Sequence, residues 1–305
     1  MNSFDLFSYS EKEPCVIALG FFDCIHLGHK RVISRAVSIA RSLSVKSAVF
    51  LFRNNIYELL GLDKAPLLSF EERLSEIEKL DVDEVFFVDA DPAFLNASPE
   101  SFVSFLKERV NVAGVVCGED YSYGKNGEGN PADLVRAFPN GKNEVVSLYR
   151  MEGEKIGSGK VKELLREGNV RAAARLLGRP FSIKGVVGKG RNDGAKIGFP
   201  TLNLSNAPSD LKFGVYFTNT ILDGKTYASV TNVGPHPTFG DWKSNVETHL
   251  IDFSGDAYGR EVIVEFLDFA RELKAFDSVD ELVRTISEDV GKRRLYDSIR
   301  SVRHG

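Results

Sequence analysis

Between residues 15 and 150 short apolar runs recur at 15–22 (CVIALGFF), 46–52 (KSAVFLF), 84–90 (EVFFVDA), 114–118 (GVVCG) and 144–150 (EVVSLYR), with helical periodicity between them. Such runs read as buried strands, and their alternation with helices predicts a parallel sheet with βαβ crossovers. The helix starts carry their own signals. Ser69 with Glu72 makes a capping box, and Ser98 followed by Pro99 supplies a cap and a proline where no amide hydrogen is needed. A helical pattern then fills 158–178 and stops at Gly178-Arg179-Pro180, which sets the expected boundary between a domain at 1–180 and another at 181–305.

From 181 to about 269 the pattern changes to strands and turns, including 181–190, 214–234, 246–253 and 261–269. Asp223-Gly224 between two strand-like runs predicts a hairpin, so this half is an antiparallel barrel or sandwich. A last amphipathic stretch at 278–300, with Ser278 as its cap, predicts a terminal helix.

Composition narrows the classes. With 305 residues, 43% hydrophobic and 27% charged, the chain can bury two cores, and its net charge of -4 gives no basic footprint for nucleic acid. No stretch approaches the roughly 18 apolar residues of a membrane span. Three cysteines, Cys15, Cys24 and Cys117, lack CxxC spacing and suggest small buried residues in a reduced compartment, so a cytoplasmic location is expected.

Two constellations carry chemistry. His26 and His29 flank Gly28 where the first strand hands over to its helix, the place where open α/β sheets bind ligands and a helix N-terminus receives phosphate. Two imidazoles there can donate to a charged transition state, and aligning an attacking phosphate with a nucleotide's α-phosphate needs no protein nucleophile. In the second half, Gly190, Gly194 and Gly198 precede Phe199-Pro200-Thr201-Leu202-Asn203. Such a loop can wrap phosphates, Lys196 can neutralise their charge, and oxygens of Thr201 and Asn203 suit magnesium.

Gly20, Phe22, Asp23, His26, Gly28 and His29 together resemble the GxFDxxHxGH signature of the nucleotidyltransferase superfamily. GFPTLN at 198–203, NVGPHPTF at 232–239 and the strand carrying Glu247 resemble the riboflavin kinase domain. In this order, with CGEDYSYGKNGEG at 117–129 and LGRPFSIKGVV at 177–187, almost the whole chain resembles the bifunctional bacterial riboflavin kinase/FAD synthetases.

The resemblance implies a Rossmann-like nucleotidyltransferase domain that joins AMP from ATP to FMN, followed by a β-barrel kinase domain that makes FMN from riboflavin and ATP. It implies Mg2+ on Thr201 and Asn203 and Glu247 as the general base. It also places Gly118 and Asp120 near nucleotide and flavin, and Arg271 and Phe276 near the kinase flavin.

Two blocks depart from the family. Where its TFxPHP stands, this chain has LFRNNI, so Asn55 replaces a phosphate-contacting histidine and Arg53 adds a charge. Its SSTxIR appears as GSGKVK at 157–162, where Ser158 survives and Lys162 replaces an arginine capable of bidentate phosphate binding. Two other readings stand beside the two-activity enzyme: a kinase whose first domain has lost its chemistry, and a flavin-nucleotide binding module.

Overall fold

The computed structural model describes residues 1–9, 13–62, 65–151, 153–190, 193–205, 210–236 and 241–303. The chain divides into two units, Met1–Ser158 and Gly159–Gly305.

The first unit holds β1 (Asn2–Asp5), β2 (Pro14–Leu19), β3 (Lys46–Phe52), β4 (Glu84–Val88), β5 (Asn111–Gly118) and β6 (Glu144–Val146) in one sheet, ordered β1-β4-β3-β2-β5-β6. All its neighbouring strands run parallel. Both faces are covered, one by a cluster including Ile17, Phe50, Phe86 and Leu106 and the other by one including Val16, Val49, Val85 and Ile33. A sheet buried on both sides needs continuous rather than alternating apolar strands, which is why β2 to β5 were legible as runs. Burying each such Val, Leu or Ile contributes roughly 1.5–3 kcal/mol. The strand order reverses beside β2, whose neighbours are β3 and β5, so the carboxyl ends of β2 and β5 open the crevice in which such sheets hold ligands.

Both early caps form: Ser69 and Glu72 exchange their reciprocal bonds, and Ser98 accepts from the Ser101 amide. The edge strand β1 was not foreseen, and the apolar run at 144–150 proves shorter as a strand. Only Glu144–Val146 joins the sheet, while β7 (Arg150–Met151) pairs with β8 (Glu154–Lys155) in a small hairpin.

The second unit is a closed barrel of β9 (Phe181–Gly188), β10 (Leu202–Ser205), β11 (Gly214–Leu222), β12 (Lys225–His236), β13 (Asp241–Leu250) and β14 (Glu261–Arg271), ordered β10-β13-β12-β11-β14-β9 with antiparallel pairing. Asp223 and Gly224 both adopt positive φ, at 49° and 74°, the twist-matched geometry of a two-residue hairpin turn. Closure removes every sheet edge. The helices Ser158–Arg166 and Val170–Leu177, which the sequence pattern grouped with the first half, are tied to this unit. Arg166 and Arg171 pair with Asp210 and Asp268 at 2.5 Å each. The helix Val279–Arg303 follows, capped by the Ser278 hydroxyl, and its fully buried Arg293 donates to Thr218 O at 3.1 Å and Asn219 Oδ1 at 2.6 Å.

Inside the barrel five hydroxyls close a ring. Thr218 meets Ser229 at 2.8 Å and Thr231 at 2.7 Å; Thr220 meets Ser229 at 2.8 Å and Thr248 at 3.2 Å; Thr231 donates to Thr248 at 2.8 Å. Every one of them is fully buried. Running the hydrogens round in one sense lets each hydroxyl donate once and accept once, so no polar group in the cycle is unmet.

Candidate active sites

β2 ends on an abrupt turn into helix α1 (Leu27–Leu43). Phe22 and Ile25 take positive φ of 45° and 47°, a costly conformation for bulky side chains and especially for a β-branched one. Gly20 and Gly28 make room for this turn: a Cβ on Gly20 would lie 2.7 Å from the Phe22 ring, and one on Gly28 2.9 Å from the His26 ring.

His26 is the N-cap of α1, its Nδ1 accepting the His29 amide at 3.1 Å. The two imidazoles stack with centroids 3.6 Å apart, and Phe22 meets the His29 ring edge-on. Burial is the main force that lowers both histidines to about 3, with the neighbouring His29 adding to the effect on His26 and Asp23 opposing it. Both rings are therefore neutral at pH 7. Because His26 Nδ1 is an acceptor, its hydrogen sits on Nε2, which is left as a donor. Nδ1 of His29 is buried without a partner, a polar atom ready for a ligand.

Around this pair Asp23 is fully buried and accepts from the hydroxyl of Ser158, the last residue of the first unit. Asp120, two residues past the Gly118 end of β5, pairs with Lys155 at 2.6 Å. The sequence reading missed Cys24, whose thiol lies with the two imidazoles in a group of ligand atoms all within 4.8 Å of one another. Sulfur and nitrogen donors suit zinc-like metals rather than magnesium.

In the second unit Asn203 on β10 is the direct cross-strand partner of Glu247 on β13, so both side chains share a face. The Thr201 hydroxyl reaches Glu247 Oε2 at 3.5 Å. On the other side of Glu247 stands Asn232 of β12, whose Nδ2 is buried without a partner; sequence reasoning passed over it, although it opens the NVGPHPTF block. Gly190 packs against Asn203, since a Cβ there would come within 2.2 Å of its amide nitrogen. Gly194 accepts the Phe199 amide at 2.8 Å and leaves no space for a side chain against the Phe199 carbonyl, while Gly198 has φ of 88°. Lys196 is exposed on this loop. Arg191 and Asn192 of the loop, and Pro237 to Phe239 of the NVGPHPTF block, lie outside the described residues. The barrel thus gathers a carboxylate, a hydroxyl and two amides, hard oxygen donors that fit magnesium.

The model of the FAD synthetase family matches residues 8–160, and that of the riboflavin kinase family matches 177–296. The bifunctional riboflavin kinase/FMN adenylyltransferase of Bacillus subtilis is 33% identical, covering 92% of this chain and 91% of its own. The chain belongs to the bifunctional riboflavin kinase/FMN adenylyltransferase family. Its Escherichia coli relative of the same name is 32% identical over 92% of each chain. A crystal structure from Streptococcus pneumoniae, titled a macrolide-efflux protein, superposes with a TM-score of 0.87 at 28% identity, over 96% of this chain and 98% of that one. Among the described residues here no helix is long and apolar enough to cross a membrane.

Within this family frame the departing blocks acquire partners. Asn55 caps a short helix by accepting the Tyr57 amide at 3.2 Å. Arg53 is engaged with Asp89, Nε to Oδ1 at 2.9 Å, and lies over the Phe87 ring. Lys162 is buried, with Asp210 3.9 Å away. Arg271 donates to the buried Asp289 at 2.9 Å and lies 5.9 Å from the centre of the Phe276 ring, so the structure brings these two expected flavin neighbours together.

Proposed function

We propose that the two units carry out consecutive transfers from ATP, riboflavin to FMN in the barrel and FMN to FAD on the parallel sheet, with the following division of roles. Glu247 accepts the proton of the ribityl 5'-hydroxyl as its oxygen attacks the γ-phosphorus of ATP, releasing ADP. Thr201 and Asn203 would hold magnesium, which when bound offsets charge on the transferring phosphates. The looped glycines Gly190, Gly194 and Gly198 bring backbone and Lys196 to the nucleotide, and Arg271 and Phe276 flank the flavin.

In the first unit an oxygen of the FMN phosphate attacks the α-phosphorus of the second ATP and pyrophosphate leaves. His26 Nε2 and the His29 ring stabilise the charge that moves onto the leaving phosphates. Gly20, Phe22, Asp23 and Gly28 shape the turn that presents them, while Ser158, Asn55, Gly118 and Asp120 complete the nucleotide and flavin contacts. The three cysteines are buried thiols outside any disulfide, which supports a reducing cytoplasmic setting.

The observation that carries this reading is the pairing of Asn203 with Glu247 beside Thr201 in one barrel, in a chain whose other unit presents stacked histidines at a helix start. The test incubates the protein with riboflavin, ATP and Mg2+, separates flavins by chromatography, and repeats the run from FMN. FAD from both starting points is expected. FMN alone would leave a kinase with a silent first unit, and neither product would leave a binding module.

A further inference from the structure

β10 pairs with β13 from Leu202 opposite Thr248, and one step further along this register the backbone ladder stops. Two residues before Leu202 stands Pro200, which has no amide hydrogen to offer a ladder. The segment 199–201 nevertheless has to be held, because it delivers Thr201 to Glu247. His249 supplies the missing link. Its Nδ1 lies 2.8 Å from the Pro200 carbonyl oxygen, and the Phe199 ring stands against the His249 ring at 5.4 Å and 77°. A carbonyl oxygen only accepts, so Nδ1 carries the hydrogen and the tautomer is fixed.

His249 sits two residues from Glu247 on the same strand, and side chains at that spacing share a face. The far end of the same segment is tied by the Phe199 amide to Gly194 O at 2.8 Å. The loop is thus pinned at both ends, on one side by its own glycine turn and on the other by the strand that carries the carboxylate.

We propose that His249 is a positioning residue for riboflavin phosphorylation: its Nδ1–H holds the Pro200 carbonyl and so fixes Thr201 and Asn203 relative to Glu247. This rests on the roles given above to Thr201, Asn203 and Glu247. The bond acts on the side that binds the nucleotide and its metal, so its loss shows first in their use and little in riboflavin binding.

The test exploits which nitrogen is involved. The amide nitrogen of Asn falls near the place of Nδ1, whereas that of Gln falls near Nε2, and neither restores the ring. With full-length protein, H249A and H249Q should raise the KM for MgATP about tenfold, with riboflavin KM within twofold and FAD formation from FMN unchanged. H249N should return MgATP KM to within about threefold of the parent chain. If Asn and Gln behave alike, or if alanine leaves MgATP KM unchanged, the proposal fails; a riboflavin KM that rises in step would mean the ring merely packs the barrel and would overturn it as well. E247Q run alongside separates the premises: an active E247Q refutes the site assignment, whereas an inactive E247Q with an indifferent His249 series refutes only the positioning role.

Discussion

The parallel-sheet unit and the barrel both handle nucleotide phosphates, yet they present opposite chemistry. The first offers neutral imidazoles, a buried turn and a helix start. The second offers a carboxylate with an amide on the adjoining strand and a hydroxyl just before that strand. The nucleophiles explain the contrast. The FMN phosphate is already ionised at neutral pH, so adenylyl transfer needs alignment and donors but no base. The ribityl hydroxyl must lose a proton, so the kinase needs an acceptor close to a cation site.

The contrast can be broken at either end. Glu247→Gln keeps the shape and removes the acceptor, so FMN formation should fall about a thousandfold while FAD formation from FMN stays within twofold. Equal loss of both activities, measured by chromatography of the flavins, would mean that Glu247 supports the fold and not one reaction. The reciprocal effect is smaller. His26→Ala or His29→Ala should lower FAD formation at least about a hundredfold, mainly in kcat, and leave FMN formation intact. Alanine at 26 also removes a helix cap, whereas His26→Asn keeps an N-cap acceptor and deletes the Nε2 donor together with the stacked ring. A chain carrying His26→Asn that still makes FAD at the normal rate would show that His26 is a cap and no more.

Acid should separate the two units next. The histidines sit near 3 in the folded chain and near 6.5 when unfolded, so between these values the unfolded state binds more protons. Stability of the first unit is therefore full above about 6.5 and declines as pH falls toward 3. Trp242, the single tryptophan, lies on β13 and reports the barrel, so the circular-dichroism transition without a fluorescence change belongs to the first unit. Its urea midpoint should drop across this window in the parent chain and stay flatter in a His26→Asn/His29→Asn double variant. Parallel curves for the two proteins would mean that the imidazoles are not the groups titrating.

How much of this was legible beforehand depended on whether a feature is written locally. Continuous apolar runs announced β2 to β5, and caps such as Ser69 with Glu72 announced helix starts, because burial on both faces and end-capping leave marks within a few residues. β1 carries no such mark: in Asn2–Asp5 only Phe4 is apolar, and the strand exists because β4 offers it an edge. The same holds inside the sites. His26, His29, Thr201, Asn203 and Glu247 stood out by motif, but the proximity of Cys24, the bond from Ser158 to Asp23, and Asn232 beside Glu247 arise from backbone paths that no short window records. Lys162 shows how a neighbour distant in sequence escapes a local reading. Its position on a helix tied to the barrel gives it Asp210 for a neighbour, a carboxylate 48 residues further along the sequence.

The smallest expected effect probes what keeps the barrel's strands in register behind its site. In the hydroxyl ring Thr218 links Ser229 to Thr231, and Thr248, next in sequence to Glu247, closes the circuit. Thr218→Val is nearly isosteric, so the core stays filled while one hydroxyl loses an acceptor and another loses a donor in a place that water does not reach. The change should cost about 1–3 kcal/mol, read as a lower urea midpoint of the Trp242 transition, whereas Thr218→Ser, which keeps the hydroxyl and deletes only a methyl, should cost less. The first unit should not respond, since it contributes nothing to the cycle, and its FAD formation from FMN should remain at the parent level. Valine as stable as threonine would show that the ring can open without penalty, and the barrel's register would then have to be credited to its backbone ladders and apolar residues alone.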